Sequence, residues 1–545
     1  MKSFVSSKNR FMRVLSLAMI ACVTMAGAAQ EANLAPMLDP NVVVPNGGTF
    51  RFFGFGGFDK ENVPHYAVPF RESPYKKHSA LRYNRINWSE LEGAEGEWLF
   101  EKTVEPLFVR SLREHSRLFL GLACNCGSMS VVQKHQGRAL AVPLYVFERC
   151  AAEGRPFRPC DQYGPSWVPD YDSQFLLERH RALMKAFADW IEGNVTGSNV
   201  RRKDMLYGIE VRYAGYWGEG GMRREHYPKT DIFDRYVDVY VECFPDTLLC
   251  LGAHESLHLP KRADVEKNPA NPMFQRAMTH FGKLATARNR RGRLGWFIDS
   301  WNWPNSQYDR NSNRVFRHPD GSIVGLSDFF FGEVYHASYI TGEFGYLTWL
   351  SDPGLAPYGK LGTQISERGV SGISLHNFTV KSKESLKQVK RVRGAHYLPG
   401  GLPISEEVYA ASRPAVSSIG YRFVLGSPSV VRTSGGVKAS FTLANIGASK
   451  MFHEYNKVHV IAKDASGRVL EDRILDLKLS SLAPATTPLK WDESSATRVE
   501  ANLPADTGEV LVKIPDEMGI EYPLCLSNFG RRDDGSYLLG RVPNS

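Results

Sequence analysis

The chain has 545 residues, of which 43% are hydrophobic and 23% are charged, and its formal net charge is +9. This length predicts two or three domains, and the composition is typical of globular proteins and excludes wholesale disorder. No long run of Lys or Arg follows the first 28 residues, so the positive charge does not indicate a nucleic-acid partner.

The first 28 residues have the pattern of a secretory signal peptide. Four basic residues in "MKSFVSSKNRFMR" precede the apolar run "VLSLAMIACVTMAGAA", and Ala26-Gly27-Ala28 offers small residues for cleavage. The apolar run is short for a membrane span, and no other stretch approaches that length. We therefore expect a secreted, periplasmic or cell-surface protein, with Cys22 as an alternative site of lipid anchoring. Residues 29–48 are interpreted as an N-terminal extension.

Residues 49–411 alternate β-rich apolar runs with amphipathic helices. The predicted strands are 49–57, 80–88, 117–125, 205–217, 247–256, 294–302, 338–347 and 372–378. The clearest predicted helices are 172–193, which begins at Asp172-Ser173, and 233–244 and 272–290. Eight such units favour a (β/α)8 TIM barrel over an open doubly wound sheet. The helix of the sixth unit, expected within 303–337, is not evident.

Residues 412–545 have a different pattern, in which apolar and polar residues alternate between Gly, Pro and Asp-rich turns. This pattern predicts an all-β C-terminal sandwich. One of the ten tryptophans of the chain, Trp491, lies in this region, which favours a packing role for the sandwich over a carbohydrate-binding role.

Four cysteines fall within one loop-rich stretch after the third predicted strand, namely Cys124, Cys126, Cys150 and Cys160. In an exported protein, a disulfide among them would staple a long insertion. Together with His135 they could also be read as a metal site. Their spacing matches no standard zinc pattern, so we predict no metal.

Polar and aromatic side chains gather where the predicted strands end. In a barrel these ends form one face, where active sites lie. Rings that stack on sugars, together with amides and charges that bind hydroxyl groups, predict a carbohydrate site at this face. The predicted substrate-binding residues are Arg82, Asn87, Trp88, Asn125, Trp217, His254, Asp299, Trp301, Trp303, His376 and Asn377.

Glu219 and Glu343 are the candidate catalytic residues. Each follows a glycine after a strand, the fourth and the seventh, in "WGE" and "TGE". Two carboxylates across a barrel mouth are the acid/base and the nucleophile of a retaining glycosidase. Glu333 is the alternative nucleophile. Glu210, inside the fourth strand, is expected to form a buried ion pair with Arg82 or Arg212.

Two other classes of hydrolase are disfavoured. The motif H-E-x-x-H occurs at 254–258, but it follows a strand and runs into Pro260, so no helix is available to bring both histidines to one face. No G-x-S-x-G elbow follows a strand, which argues against a serine hydrolase.

The stretch "LRYNRINWSELEGAEGEWLFE" (81–101) resembles the second-strand signature of clan-A (β/α)8 glycoside hydrolases, in which an arginine, here Arg82, lies six positions before a tryptophan, here Trp88. The strand ends "YWGEGG" and "ITGEFGY", and "NFGRRDDGSYLLGRV" at 528–542, resemble a narrower group of secreted bacterial glycosidase-like proteins of unknown function, with a barrel and a C-terminal sandwich.

This resemblance implies that Glu219 is the acid/base, Glu343 the nucleophile, and Arg82 the cation that holds Glu343 ionised. It implies no metal and no organic cofactor. One position departs from the pattern, because Gly218 stands where most clan-A enzymes have the asparagine that binds the sugar 2-hydroxyl. In that case another amide, Asn125 or Asn377, would take this role.

The sequence thus predicts a secreted glycoside hydrolase that cleaves a polysaccharide or oligosaccharide with retention of configuration. The alternatives are a non-catalytic carbohydrate-binding protein with a degenerate barrel, and a transglycosylase that uses the same residues.

Overall fold

The computed structural model describes residues 49–55 (backbone), 81–124, 133–161, 164–215, 218, 226, 228, 232–252, 259–289, 294–298, 312–342, 363–371, 373–374 and 418–542. The predicted signal peptide with Cys22, and the extension 29–48, lie outside these ranges. Among the described helices, none is long and apolar enough to cross a bilayer.

The first part of the chain contains fourteen described strands. They are β1 (Thr49–Phe55), β2 (Leu81–Asn87), β3 (Arg117–Cys124), β4 (Lys134–His135), β5 (Arg138–Ala139), β6 (Arg158–Cys160), β7 (Ser166–Val168), β8 (Leu206–Val211), β9 (Leu248–Gly252), β10 (Leu294–Ile298), β11 (Val315–Arg317), β12 (Ile323–Gly325), β13 (Ile340–Gly342) and β14 (Ile373–Ser374).

Eight of these strands form a closed parallel barrel. The hydrogen-bonded order β14-β1-β2-β3-β8-β9-β10-β13 follows the chain, and every ladder is parallel. The ring closes beside β13, where the Ser371 N–H, two residues before β14, donates to the Ile340 carbonyl at 2.8 Å. Chain-order neighbours joined by crossovers are the arrangement of a (β/α)8 barrel, which confirms the predicted fold class.

The described α-helices lie between the strands. They are α1 (Trp88–Leu91), α2 (Phe100–Thr103), α3 (Glu105–Arg113), α4 (Leu144–Ala152), α5 (Gln174–Ile191), α6 (Arg202–Met205), α7 (Ile232–Cys243), α8 (Arg262–Lys267), α9 (Pro272–Asn289) and α10 (Leu326–Phe329), the last continued by a π-helical turn (Phe330–Val334). Residues 363–368, between β13 and β14, are also helical.

The long helix α5 forms where the sequence pattern predicts a helix. Its apolar residues recur every three or four positions and pack onto the barrel. Ser173 caps its first turn, because the Ser173 hydroxyl accepts from the Leu176 N–H at 3.2 Å. The sixth unit, in contrast, holds the antiparallel hairpin β11–β12 and the short α10 with its π-helical turn, which carry no regular helical period.

The C-terminal region is a β-sandwich. It contains β15 (Phe423–Thr433), β16 (Gly436–Asn445), β17 (His459–Lys463), β18 (Val469–Ile474), β19 (Thr497–Leu503), β20 (Glu509–Lys513) and β21 (Tyr537–Arg541). Two antiparallel sheets, β15-β16-β19 and β18-β17-β20-β21, pack their apolar faces into one core. Trp491 packs over Gly426, where an added Cβ would lie 2.6 Å from the indole. The sandwich tryptophan therefore packs within the domain.

The sandwich contacts the barrel at the amino ends of its strands. Rings of the sandwich loop 450–456 pack against barrel tyrosines: Phe452 against Tyr339 at 5.4 Å, and His453 against Tyr207 at 5.2 Å between centroids. Tyr207 lies near the start of β8, and Tyr339 directly precedes β13. The sandwich therefore covers the base of the barrel and leaves the carboxyl ends to other segments.

A buried ion cluster joins the two domains at this base. Arg117, the first residue of β3, is fully buried and pairs with Asp516 of the sandwich at 2.6 Å. Its guanidinium lies 3.8 Å from the Tyr455 ring centroid and its Nε lies 3.6 Å from the Glu521 carboxylate. One buried cation thus faces two carboxyl groups, and burial raises the pKa of Glu521 to about 8.

This cluster predicts that Glu521 contributes to stability in mild acid and that this contribution is lost as the pH rises. Glu521 stays protonated in the folded state up to a pH of about 8 and ionises near pH 4.5 when unfolded. Its contribution to the free energy of unfolding should therefore fall between these values, by about 1.4 kcal/mol per pH unit. Glu521→Gln should remove this slope in urea titrations. The exposed control Glu148→Gln should keep it, and an unchanged slope in Glu521→Gln would contradict the assignment.

Candidate functional site

A buried polar network lies inside the barrel, above the base. Tyr83 and Arg85 of β2 point inward, as does Glu210 of β8, and Arg212 directly follows Val211 at the end of β8. The Tyr83 hydroxyl donates to the Glu210 carboxylate and accepts from Arg85 Nε at 2.7 Å and from Arg212. Arg212 also forms an ion pair with Glu210. The predicted buried pair of Glu210 is thus confirmed, with Arg212 as partner.

The network places two guanidinium groups on one aromatic ring. Arg212 Cζ lies 4.8 Å and Arg85 Cζ lies 5.3 Å from the centroid of Phe297 on β10. Gly121 of β3 leaves space for both side chains, because an added Cβ would lie 3.2 Å from each. Burial raises the pKa of Glu210, while the positive charges of Arg212 and Arg85 oppose that rise. Both cations therefore lie close enough to Glu210 to favour its ionised form.

The placement of Arg82 corrects a sequence prediction. Side chains alternate along a strand, and Tyr83 and Arg85 face the interior, so Arg82 faces the surrounding helices. Its guanidinium pairs with Glu114, which follows α3, at 2.5 Å. The predicted substrate-binding role of Arg82 is therefore wrong, as is its predicted role beside Glu343. Arg85 is the arginine of β2 that faces the barrel interior.

Trp88 is not a sugar platform either. Its side chain is fully buried at the start of α1 and packs edge-on against His180, with ring centroids 5.5 Å apart. The indole N–H donates to the Glu92 carboxylate at 2.7 Å. A ring enclosed on all sides cannot stack on substrate, so this prediction is also wrong.

Glu92 explains the second-strand motif in structural terms. Its fully buried carboxylate accepts from the Trp88 indole, from the Gly96 N–H at 2.9 Å and from the Tyr145 hydroxyl at 2.7 Å, and it pairs with Arg179. These donors come from the connection after β2, from α4 and from α5. The motif therefore ties the segment that leaves β2 to two helices of the outer layer.

Among the described residues, Asn87 has a position that is compatible with the predicted substrate site. It ends β2 at the carboxyl end of the barrel and is 5% exposed. Its backbone N–H and its Nδ2 donate to Glu90 at 3.0 and 2.8 Å, which fixes the amide in place. Contact of Asn87 with a substrate stays a prediction.

The remaining predicted site residues lie outside the described residues; they are Asn125, Trp217, Glu219, His254, Asp299, Trp301, Trp303, Glu343, His376 and Asn377. Their positions in the chain still carry information. Asn125, Asp299 and Glu343 directly follow the last residues of β3, β10 and β13. Because these strands are parallel, their last residues, Cys124, Ile298 and Gly342, lie at the carboxyl face of the barrel.

Gly218, which precedes Glu219, is held against Arg212. Its φ is +74°, a conformation that favours glycine, and its N–H donates to the Gly215 carbonyl at 2.9 Å. An added Cβ would lie 2.6 Å from the Arg212 carbonyl oxygen and 2.7 Å from the Arg212 Cβ. Asparagine cannot occupy this position without moving the turn, which gives a physical reason for the departure from the clan-A pattern.

The described residues give no support for the predicted disulfide. Cys150 is a buried free thiol on α4, 3.6 Å from the Ser173 hydroxyl, and burial raises its pKa to about 11. Cys150 therefore takes no part in the expected disulfide, and Cys126 and the side chain of Cys124 lie outside the described part of the chain. Within that part, no group of three or more His, Cys, Asp or Glu is arranged to hold a metal.

The contacts of Glu92 predict a large loss of stability on truncation. Glu92→Ala removes a buried carboxylate and leaves Arg179 without its main partner, so we expect a loss of about 3–5 kcal/mol in urea unfolding. Glu95 is 51% exposed and lies 3.4 Å from the same guanidinium, so the control Glu95→Ala should cost less than about 1 kcal/mol. Equal losses in the two variants would contradict the structural role of Glu92.

The sequence matches no protein-family model and no curated protein. The structure is similar to the catalytic domain of a β-amylase from Paenibacillus polymyxa (TM-score 0.39, 10% identity, 64% of this chain and 98% of that chain). It is also similar to an intracellular xylanase from Thermoanaerobacterium saccharolyticum (0.31, 12%, 63% and 89%) and to an endoglucanase from Pseudomonas stutzeri (0.30, 10%, 69% and 99%). Because these TM-scores are below 0.5, the barrel is established by its own strand order, and no residue role is transferred from these enzymes.

Proposed function

We propose that this protein is an exported glycoside hydrolase that cleaves a polysaccharide or oligosaccharide by a retaining double displacement. Glu219 is the acid/base and Glu343 the nucleophile. The site lies at the carboxyl ends of the barrel strands, since the sandwich covers the opposite end.

The observation that carries this proposal is the charge of the barrel interior. Arg85 and Arg212 are buried, 3% and 0% exposed, beside the carboxyl group of Glu210. Positive charges favour the ionised form of a neighbouring carboxyl group, so a carboxylate near the mouth would be stabilised there. Glu343 and Asp299 follow strands at this face and supply such groups.

The two glutamates would divide the chemistry as follows. The Glu343 carboxylate attacks the anomeric carbon while Glu219 gives its proton to the leaving oxygen, which breaks the glycosidic bond and forms a glycosyl ester. Glu219, now ionised, takes a proton from water, and that water attacks the anomeric carbon and releases Glu343. A cationic interior favours the ionised form of Glu343.

The test is a screen of the mature chain against polysaccharides and aryl glycosides, with Glu219→Gln, Glu343→Gln and the rival variant Glu333→Gln. Glu219→Gln should lower kcat on the order of 10²–10⁴-fold for substrates with poor leaving groups. Glu343→Gln should abolish turnover, and Glu333→Gln should keep it. NMR of the first product should show the anomer of the substrate.

Four outcomes would contradict parts of this proposal. Full turnover in either Glu219→Gln or Glu343→Gln would remove that residue from the catalytic pair, and loss in Glu333→Gln would make Glu333 the nucleophile. Binding of a glycan without turnover would favour the non-catalytic alternative. Products longer than the substrate at high acceptor concentration would identify a transglycosylase.

A further inference from the structure

Gly218, which precedes Glu219 in the chain, packs against one buried side chain, that of Arg212. Gly218 is buried, and an added Cβ would lie within 2.8 Å of three Arg212 atoms, the carbonyl oxygen, Cβ and Cδ. The Gly218 N–H closes the turn on the Gly215 carbonyl, and Gly215 also has a positive φ of +79°. The backbone at 218 therefore contacts both the main chain and the side chain of Arg212.

Arg212 is in turn held from several sides. Glu210 pairs with its guanidinium, the Tyr83 hydroxyl accepts from it, and Phe297 lies beneath it at 4.8 Å. Gly121 leaves the space in which its stem runs, at 3.2 Å from a virtual Cβ. These partners come from β2, β3, β8 and β10, so four strands fix the side chain on which the turn rests.

We infer that Arg212 is a positioning residue for Glu219, which it orients through the Gly215–Gly218 turn. This inference rests on the proposed function for the role of Glu219. The ion pair with Glu210 holds the Arg212 stem against the backbone of Gly218, the residue that directly precedes Glu219 in the chain.

The first experiment measures the turn without any substrate. Hydrogen exchange of the segment 213–218 should be at least tenfold faster in Arg212→Met and Gly218→Ala than in the wild type, once thermal unfolding shows that each variant is folded. Arg212→Lys, which keeps the stem and the charge, should give a smaller increase and provides a second variant if Arg212→Met does not fold.

Two matched controls separate the turn from general destabilisation. Arg202 is also a buried arginine paired with a glutamate, Glu105 at 2.6 Å, but it precedes β8 instead of following it, so Arg202→Met should leave 213–218 protected. Gly137 has a φ of +75° with nothing within 4 Å of a virtual Cβ, so Gly137→Ala reports the backbone strain alone. Unchanged exchange of 213–218 in Arg212→Met would overturn the inference.

The second experiment uses two aryl glycosides of the sugar identified in the screen. A phenyl leaving group needs a proton from Glu219, whereas a 2,4-dinitrophenyl group departs without one. Arg212→Met and Arg212→Lys should lower kcat/KM, which reports formation of the glycosyl ester, at least tenfold more for the phenyl glycoside than for the dinitrophenyl glycoside. Equal loss on both substrates would overturn the inference. If the wild type cleaves no glycoside, the proposed function fails, and the exchange result still decides whether Arg212 supports the turn.

Discussion

The buried ion pair between Glu210 and Arg212 is the interaction on which the rest of the barrel interior depends. Either charge alone in the core would destabilise the folded state. Each group therefore requires the other, and both require the Tyr83 hydroxyl as a hydrogen-bond partner. This requirement fixes which residues of β2 and β8 face inward and which faces meet the helices. It also holds the Arg212 side chain against the backbone of Gly218, the residue that precedes Glu219.

The two ends of the barrel have different roles. At the amino ends, tyrosines and the Arg117 cluster bind the sandwich, so this domain completes the core of the barrel base. At the carboxyl ends, the strands lead into segments rich in carboxylates, amides and tryptophans. In (β/α)8 proteins, residues at the base maintain stability while residues at the opposite face carry out chemistry. The distribution of charged and aromatic groups in this chain follows that division.

The sequence predicted the architecture better than the orientation of individual side chains. Each of the eight barrel strands lies within a stretch that the sequence predicts as a strand, and α5 lies within a predicted helix, because apolar runs alternate with amphipathic helices along the chain. The sixth unit was not, since a hairpin and a π-helical turn replace a regular helix. The prediction for Arg82 is wrong because every residue of β2 is buried, so its pattern cannot show which face points inward. The prediction for Trp88 is wrong because Trp88 begins the buried helix α1 and does not end β2. The spacing of three between Arg82 and Arg85 placed them on opposite faces and was the available signal for Arg85.

The most direct test of the central claim is covalent trapping of the nucleophile. A 2-deoxy-2-fluoro glycoside with a good leaving group, built on the sugar found by screening, slows the breakdown of a glycosyl ester more than its formation. Mass spectrometry of the digested protein should then find one sugar per chain on the peptide that contains Glu343, and none after Glu343→Gln. A label on another carboxylate, or turnover with inversion and no label, would contradict the retaining pair proposed for this barrel.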